Sequence, residues 1–334
     1  MEVIEEWILV SRSTWNHDTK QQNIPLPSKP FNGFLTPSVV IITANSIHLP
    51  DSKLVSTLNM LKNISIISLV ALAIACNNPE DTANSNSEIQ TPTVPEAPAI
   101  PYTILNAYPH DTAAFTQGLE FHDGILLEST GLEGRSSLRK VDPITGNPKV
   151  LRKLDNKLFG EGITVLNDTL YQLTWQNHKV LMYDPETFKP MGELNWSNEG
   201  WGITNNGRSL FISDGTDKIY MVKPGTLKLE RVISVTDHLG PLNNLNELEY
   251  INGSIYANRI EYNYIVRIDP SNGHVTGKLD FTDILKKYSK IDLSYMVNNP
   301  HGTVLNGIAW DSTGKKMFIT GKLWPLLFEL QVEP

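Results

Sequence analysis

The 334-residue chain has a single cysteine, Cys76. One thiol closes no disulfide within the chain and builds no cysteine-based zinc site. Lysine and arginine are scattered, so no basic run offers a footprint for nucleic acid. Long apolar runs are missing too. The most hydrophobic stretch, Ile64–Ala75, has about 12 residues, against the ~20 that a membrane-spanning helix needs. The chain has no HExxH, GxSxG, P-loop or GxGxxG string, so the zinc-protease, serine-hydrolase and dinucleotide chemistries those strings carry find no support. The histidines lack metal-ligand spacing and read as surface or turn residues.

The short apolar run has a use of its own. Met60 offers a start, Lys62 a positive n-region and Ile64–Ala75 an apolar core, and Ala73-Ile74-Ala75 leads into Cys76. That order is a secretory signal ending at a lipid-modified cysteine, so residues 60–76 are expected to be a lipoprotein signal peptide with Cys76 as the acylation site. Residues 1–59 have no role ahead of such a signal and read as a non-native extension from a start codon placed too early. Residues 77–101 are rich in Pro, Asn, Ser and Glu and have little to bury, so a disordered linker is expected. An exported protein anchored to the bacterial cell envelope by its lipid alone follows, periplasmic or on the outer membrane.

Residues 102–334 repeat. Gln117-Gly118-Leu119-Glu120, Glu161-Gly162-Ile163-Thr164, Trp201-Gly202-Ile203-Thr204, Asn246-Glu247-Leu248-Glu249 and Asn306-Gly307-Ile308-Ala309 share one pattern. Each is followed by an Asn/Asp/Gly turn and a short apolar strand: ILLES, LYQLT, LFISD, SIYAN and MFITG. Four units continue into a third strand ending in Asp-Pro or Lys-Pro: LRKVDP, VLMYDP, IYMVKP and IVRIDP. Such turns between β-rich strands are hairpin signals. The units start 44, 40, 45 and 60 residues apart, a spacing that suits propeller blades of three or four strands. The longest interval holds an insertion over Phe281–His301, whose FTDILKKYSKI reads as a short helix. The predicted fold is therefore an all-β, five-bladed β-propeller, closed by the N-terminal strand YTILNAYP (102–109) joining the last blade, which removes an open sheet edge.

In a propeller the first strand of each blade lines the central channel. Gln117, Glu161, Trp201, Asn246 and Asn306 are then neighbours on a ring, with Glu161 the one carboxylate among those five leading positions. The second strands should deliver Trp175 and Lys322 beside it, and Arg135 lies in a nearby turn. Each has a plainer reading: Glu161 a paired channel acid, the indoles packing, the asparagines turn caps, Lys322 solvated, Arg135 an ordinary surface partner. Oxygen donors from Glu161, Asn246 and Asn306 would also suit Ca²⁺. A metal-dependent lactonase-type propeller and a non-catalytic peptide-binding propeller therefore stay open as alternatives.

The strings AFTQGLEF, GLEGRSSLRKVD, FGEGIT, LYQLTWQ, GWGIT, LNELEY, VLNGIAWD and ITGKLWPLLFEL resemble the glutamine cyclotransferases of plants and bacteria, in order and across nearly all of 102–332. The resemblance implies cyclisation of N-terminal glutamine of peptides or proteins to pyroglutamate with release of ammonia, without the zinc of the animal enzymes. By motif, Glu161 matches the family's acid/base residue, and Gln117, Trp175, Trp201, Asn246 and Lys322 match its substrate pocket. The family has a tryptophan near Ile260, where this chain reads ANRIEYN; Tyr262 or Tyr264 is expected to fill that space, or the pocket to be wider. No cofactor is expected to be required, a structural Ca²⁺ in the channel is left open, and a monomer is expected.

Overall fold

The computed structural model describes residues 94–290, 292–297 and 302–333. The segment 1–59, the signal segment 60–76 with Cys76 and most of the 77–101 stretch lie outside the described residues. Five four-stranded antiparallel sheets make up the rest, with a two-stranded hairpin, Thr236–Asp237 and Gly240–Pro241. Counted outward from the axis, blade one is Thr116–His122, Ile125–Thr130, Ser137–Val141 and Pro148–Lys153. Blade two is Gly160–Leu166, Thr169–Thr174, Lys179–Tyr183 and Pro190–Asn195. Blade three is Ile203–Asn205, Leu210–Ser213, Lys218–Val222 and Leu229–Ser234. Blade four is Leu245–Ile251, Ser254–Arg259, Tyr264–Ile268 and Val275–Asp280. Blade five is Leu305–Asp311, Lys316–Gly321 and Leu326–Val332, with Tyr102–Pro109 paired antiparallel to the last of these.

The innermost strands touch in cyclic order, the first blade's meeting both the second's and the fifth's, which makes the arrangement a five-bladed propeller. Adjacent side chains of a strand face opposite sides of its sheet, and here both faces are covered. Leu126 packs with Phe318 and Leu327 of blade five, while Leu127 packs with Ile163 and Leu170 of blade two. One apolar cluster of this kind lies at each of the five blade contacts. The Asp-Pro turns end the third strands because the aspartate caps the chain reversal. Asp142 Oδ1 accepts from the N–H groups of Ile144 and Thr145, and Asp184 Oδ1 from those of Glu186 and Thr187.

Near the axis there is little room for side chains. A methyl group on Gly118 would stand 2.6 Å from the backbone nitrogen of Ile163, and one on Gly162 would stand 2.8 Å from that of Ile203. Gly202 presses in the same way on the Asn246 carbonyl of blade four. Blade four carries Glu247 at the equivalent point. Its two oxygens accept from Leu119 N–H of blade one (3.2 Å) and Ile308 N–H of blade five (2.9 Å). Two residues on, Glu249 accepts from Trp310 N–H (2.9 Å) and the Thr204 hydroxyl (3.3 Å). Glu120 joins them, its carboxyl pushed up to about 8 by burial against the opposing hydrogen bonds of Thr164 and Val165.

One sequence reading is extended here and two change. The insertion forms a short helix at Ile284–Tyr288, as expected, and a second at Ser294–Val297. Residues 98–100, read as linker, run beside the outer strand of blade four: Ile100 N–H bonds the Lys278 carbonyl at 2.8 Å and the Ile100 side chain is buried against Leu279. His110, read as a surface or turn residue, is buried. Its ring nitrogens face the Trp324 carbonyl (2.9 Å) and Glu128 (3.1 Å). Burial would raise Glu128, but the charges of His110 and Arg139 overcome it and hold the carboxyl at about 2.

Because the clash at Gly118 is with backbone, no side-chain rotation relieves it. Gly118→Ala is expected to destabilise the fold by about 2 kcal/mol or more, measured as a lower denaturant midpoint with an unchanged slope.

Candidate active site

The inner strands do not run as regular ladders at their channel ends. In blade two the pairing passes from Gly160–Thr174 to Ile163–Gln172, so two residues oppose one. Blade four shifts between Leu245 and Leu248, and blade five between Leu305 and Ile308. Blade one shifts between Thr116 and Gly118. The irregular residues are Gln117, Glu161, Asn246 and Asn306, four of the five ring positions read from the repeat. A bulge releases a residue from strand alternation and re-aims its side chain. It is how these strands present a polar group where a regular strand would continue its pairing.

A second set of equivalent positions lies at the ends of the second strands. The N–H groups of Gly131, Trp175, Ile260 and Lys322 bond the carbonyls of Phe115, Phe159, Asn244 and Val304, at 2.8, 3.0, 3.0 and 2.9 Å. This repeated bond puts Trp175, Lys322 and Ile260 at like places on one rim. In blade one the residue is glycine, and Phe159 takes the vacated room: its ring would be struck by any side chain at Gly131. Phe159 in turn packs edge-on against Trp175, centroids 5.6 Å apart, and against Phe115 at 6.1 Å. The Lys322 ammonium stands 4.9 Å over the Phe115 ring.

Glu161 is buried in this setting, 4% exposed, and accepts a hydrogen bond from Gln117 Nε2 at 3.1 Å. Asn306 stands behind Gln117, its Nδ2 donating to the Thr116 backbone carbonyl (3.0 Å) and to the Gln117 side-chain Oε1 (3.4 Å). Burial raises the Glu161 carboxyl well above its ordinary range; the Lys322 charge pulls it down and the Glu199 charge pushes it up. Lys322 is equally buried, and loss of hydration lowers it to about 8 even though Glu161 favours its charged form. Burial thus disfavours the charged form of both groups, while the charge of each favours that of the other.

The indoles of Trp175 and Trp201 meet one carboxylate. Glu199 Oε2 accepts from Trp175 Nε1 at 2.8 Å and from Trp201 Nε1 at 3.0 Å, while Oε1 accepts from Gln176 Nε2 at 2.9 Å. Burial works against the charge, but these three donors prevail and Glu199 lies below its usual pKa. Asn246 is fully buried with its side-chain oxygen lacking a donor, as does that of Asn306.

The sequence-predicted residues therefore separate. Gln117, Glu161 and Lys322 act on one another through contact or charge, Trp175 and Trp201 converge through Glu199, and Asn306 supports Gln117. Asn246 occupies its ring position through the bulge of blade four. Arg135 is exposed, its guanidinium donating to the Ala113 carbonyl. Tyr262 and Tyr264 are engaged by Arg259, which sits 4.2 Å and 5.6 Å from their ring centroids. Glu161 is the one carboxylate at the five leading positions, but Glu247 is also a channel carboxylate, with Glu120 and Glu249 beyond it. Glu199, unforeseen, lies in a loop two residues before a repeat position, where the periodic pattern assigns nothing. Among the described residues no group of three or more His, Cys, Asp or Glu side chains is arranged to hold a metal ion.

Known proteins resemble this chain in sequence and fold. A family model described as glutamine cyclotransferase matches residues 69–332. A glutaminyl-peptide cyclotransferase of Arabidopsis thaliana is 39% identical over 233 residues, 69% of this chain and 71% of the relative. The crystal structure of a Myxococcus xanthus glutaminyl cyclase aligns with a TM-score of 0.62 at 32% identity, covering 71% of this chain and 99% of that one.

Replacing Lys322 by Met removes a charge that holds Glu161 down. The Glu161 carboxyl is then expected to titrate at a higher pH than in the unsubstituted protein, as read by ¹³C NMR of labelled glutamate; an unchanged or lower value would contradict the coupling.

Proposed function

The chain belongs to the glutamine cyclotransferase family, and we propose that its reaction, closure of N-terminal glutamine to pyroglutamate with release of ammonia, runs through Glu161. The observation that carries this is a buried carboxylate raised well above its ordinary range, under the charge of a lysine that burial lowers to about 8 and the charge of the carboxylate to which two indoles are tied.

The substrate's neutral α-amine must attack its own γ-carboxamide carbon. The new C–N bond forms as a proton leaves the amine, and the old C–N bond breaks as the departing nitrogen gains a proton and goes as ammonia. The two proton transfers are opposite in sense and close in space, so one carboxylate serves both. Glu161 takes the amine's proton and returns it to the leaving group. Protonated Lys322 offers a positive charge to the carboxamide oxygen as it becomes an oxyanion. Gln117 spends its amide donor on Glu161, which fixes the orientation of the acid. The donor-free oxygens of Asn246 and Asn306 are acceptors of the kind that substrate N–H groups would satisfy. The aromatic walls of Trp175, Trp201 and Phe159 hold the flexible glutamine side chain folded, and such proximity supplies several kcal/mol of the barrier reduction. This scheme assigns no step to a metal or cofactor.

For the segments outside the described residues we propose an exported protein held at the cell envelope by acylation of Cys76, acting as a monomer on peptides or proteins that begin with glutamine. The support is the order of Lys62, the apolar Ile64–Ala75 and Cys76.

Two measurements test these readings. Glu161→Gln is expected to fold normally and to lose about 10²–10⁴-fold in turnover, followed as ammonia release and peptide mass; in the unsubstituted enzyme, rate should fall as pH rises past about 8, where Lys322 loses its proton. Retained turnover in the variant removes Glu161 from the mechanism. In a bacterial host, Cys76→Ser should move the protein from the detergent phase to the aqueous phase and abolish incorporation of labelled palmitate.

A further inference from the structure

Glu199 has three donors and no basic partner at hydrogen-bond distance. A carboxylate that accepts from two indoles and an amide has to be ionised to satisfy them all, because its protonated form would lose an acceptor and bring in a competing donor. The backbone on which it stands is also fixed. The buried Trp196 donates its indole N–H to the Glu199 carbonyl at 3.1 Å, Trp196 N–H bonds the His178 carbonyl at 2.9 Å, and Trp201 N–H bonds the Ser213 carbonyl at 3.0 Å. Gly200 N–H reaches the Trp175 carbonyl at 3.3 Å. The loop between blades two and three is thus anchored on both sides of Glu199, and its side chain is the link between the indole of one blade and that of the next.

That link matters for two reasons. An indole held only by packing can rotate about its side-chain torsions. An indole whose N–H is tied to a fixed anion is restricted in its torsions, and here both indoles share the same oxygen. The second reason is charge. A fixed anion near Glu161 opposes ionisation of that carboxyl, acting against Lys322. We propose that Glu199 is a positioning residue of the cyclisation: its carboxylate sets the planes of Trp175 and Trp201 around the substrate and keeps a permanent negative charge beside the acid/base residue. This rests on the function proposed above and assigns Glu199 no contact with substrate.

Two variants separate geometry from charge. Glu199→Gln keeps one oxygen able to accept both indole N–H groups and removes the charge. Glu199→Ala removes both. The measurements are kcat and KM for a glutamine-initiated peptide across pH, near-UV circular dichroism for the indole environment, and thermal unfolding to verify that each variant is folded. Glu199→Gln should leave KM within about twofold and shift the acidic limb of kcat/KM to lower pH by about half a unit to one unit, the effect of one nearby charge on a partly buried acid. Glu199→Ala should raise KM about tenfold, the equivalent of one charged hydrogen bond, and alter the near-UV signal. A folded Glu199→Ala variant with unchanged KM and spectrum overturns the positioning role, and an unmoved acidic limb in Glu199→Gln overturns the charge role. Should Glu199→Ala fail to fold, Glu199→Gln still decides the charge role, and Trp175→Phe, which deletes one indole N–H, decides the other by its KM. If the unsubstituted enzyme releases no ammonia from the peptide, it is the functional reading that fails, and the near-UV comparison still reports on the indoles.

Discussion

Five strands converge on one axis, and the space they leave is too small for ordinary side chains. Gly118, Gly162 and Gly202 let three neighbouring inner strands approach backbone to backbone. The fourth blade does the opposite at the same point. It inserts Glu247, whose carboxylate reaches the N–H groups of blades one and five. A close-packed ring leaves backbone donors at its centre with no ladder partner, and an unpaired buried donor costs about 1–3 kcal/mol. Glu247 and Glu249 supply the missing acceptors, so one blade ties the others together through its side chains.

The same crowding shapes the chemistry. Burial raises Glu120, Glu161, Glu247 and Glu249 alike, so a displaced pKa does not by itself single out an acid/base residue. The partners do. Glu247 and Glu249 are held by backbone N–H groups of neighbouring blades, which makes them parts of the frame. Glu161 has one amide donor and the charge of a lysine that is itself suppressed by burial. Its one hydrogen bond across blades comes from the Gln117 side chain, not from a backbone N–H of the frame. Position along the channel thus sorts chemically identical residues by the partners they hold.

The bulges connect fold to site. A regular inner strand would continue its pairing to its end and leave the mouth of the channel lined by whatever alternation dictated. Two residues opposing one in blades two, four and five, with a further shift in blade one, free Gln117, Glu161, Asn246 and Asn306 from that rule. The loop carrying Glu199 adds a second level of control, since it sets the indoles that the rim of the second strands only brings near.

Sequence alone determined the period, the turns and the ring positions, because each depends on short-range chemistry repeated five times: Asn/Asp/Gly reversals, apolar second strands and one outstanding residue before each Leu/Ile. It left the outermost strands largely unseen, since Pro148–Lys153 and Pro190–Asn195 are mostly exposed and show no alternation to recognise. It misjudged His110, whose polarity says surface while its carbonyl and carboxylate partners lie 214 and 18 residues away. Glu199 and Glu247 were beyond it for related reasons. One lies outside the repeat, and the other breaks it, a glutamate where the neighbouring units have glycine; that departure was the available signal. Only the tertiary structure decided which buried acids brace the ring through backbone N–H groups and which one meets Gln117 and the charge of Lys322, because that choice depends on groups arriving from other blades.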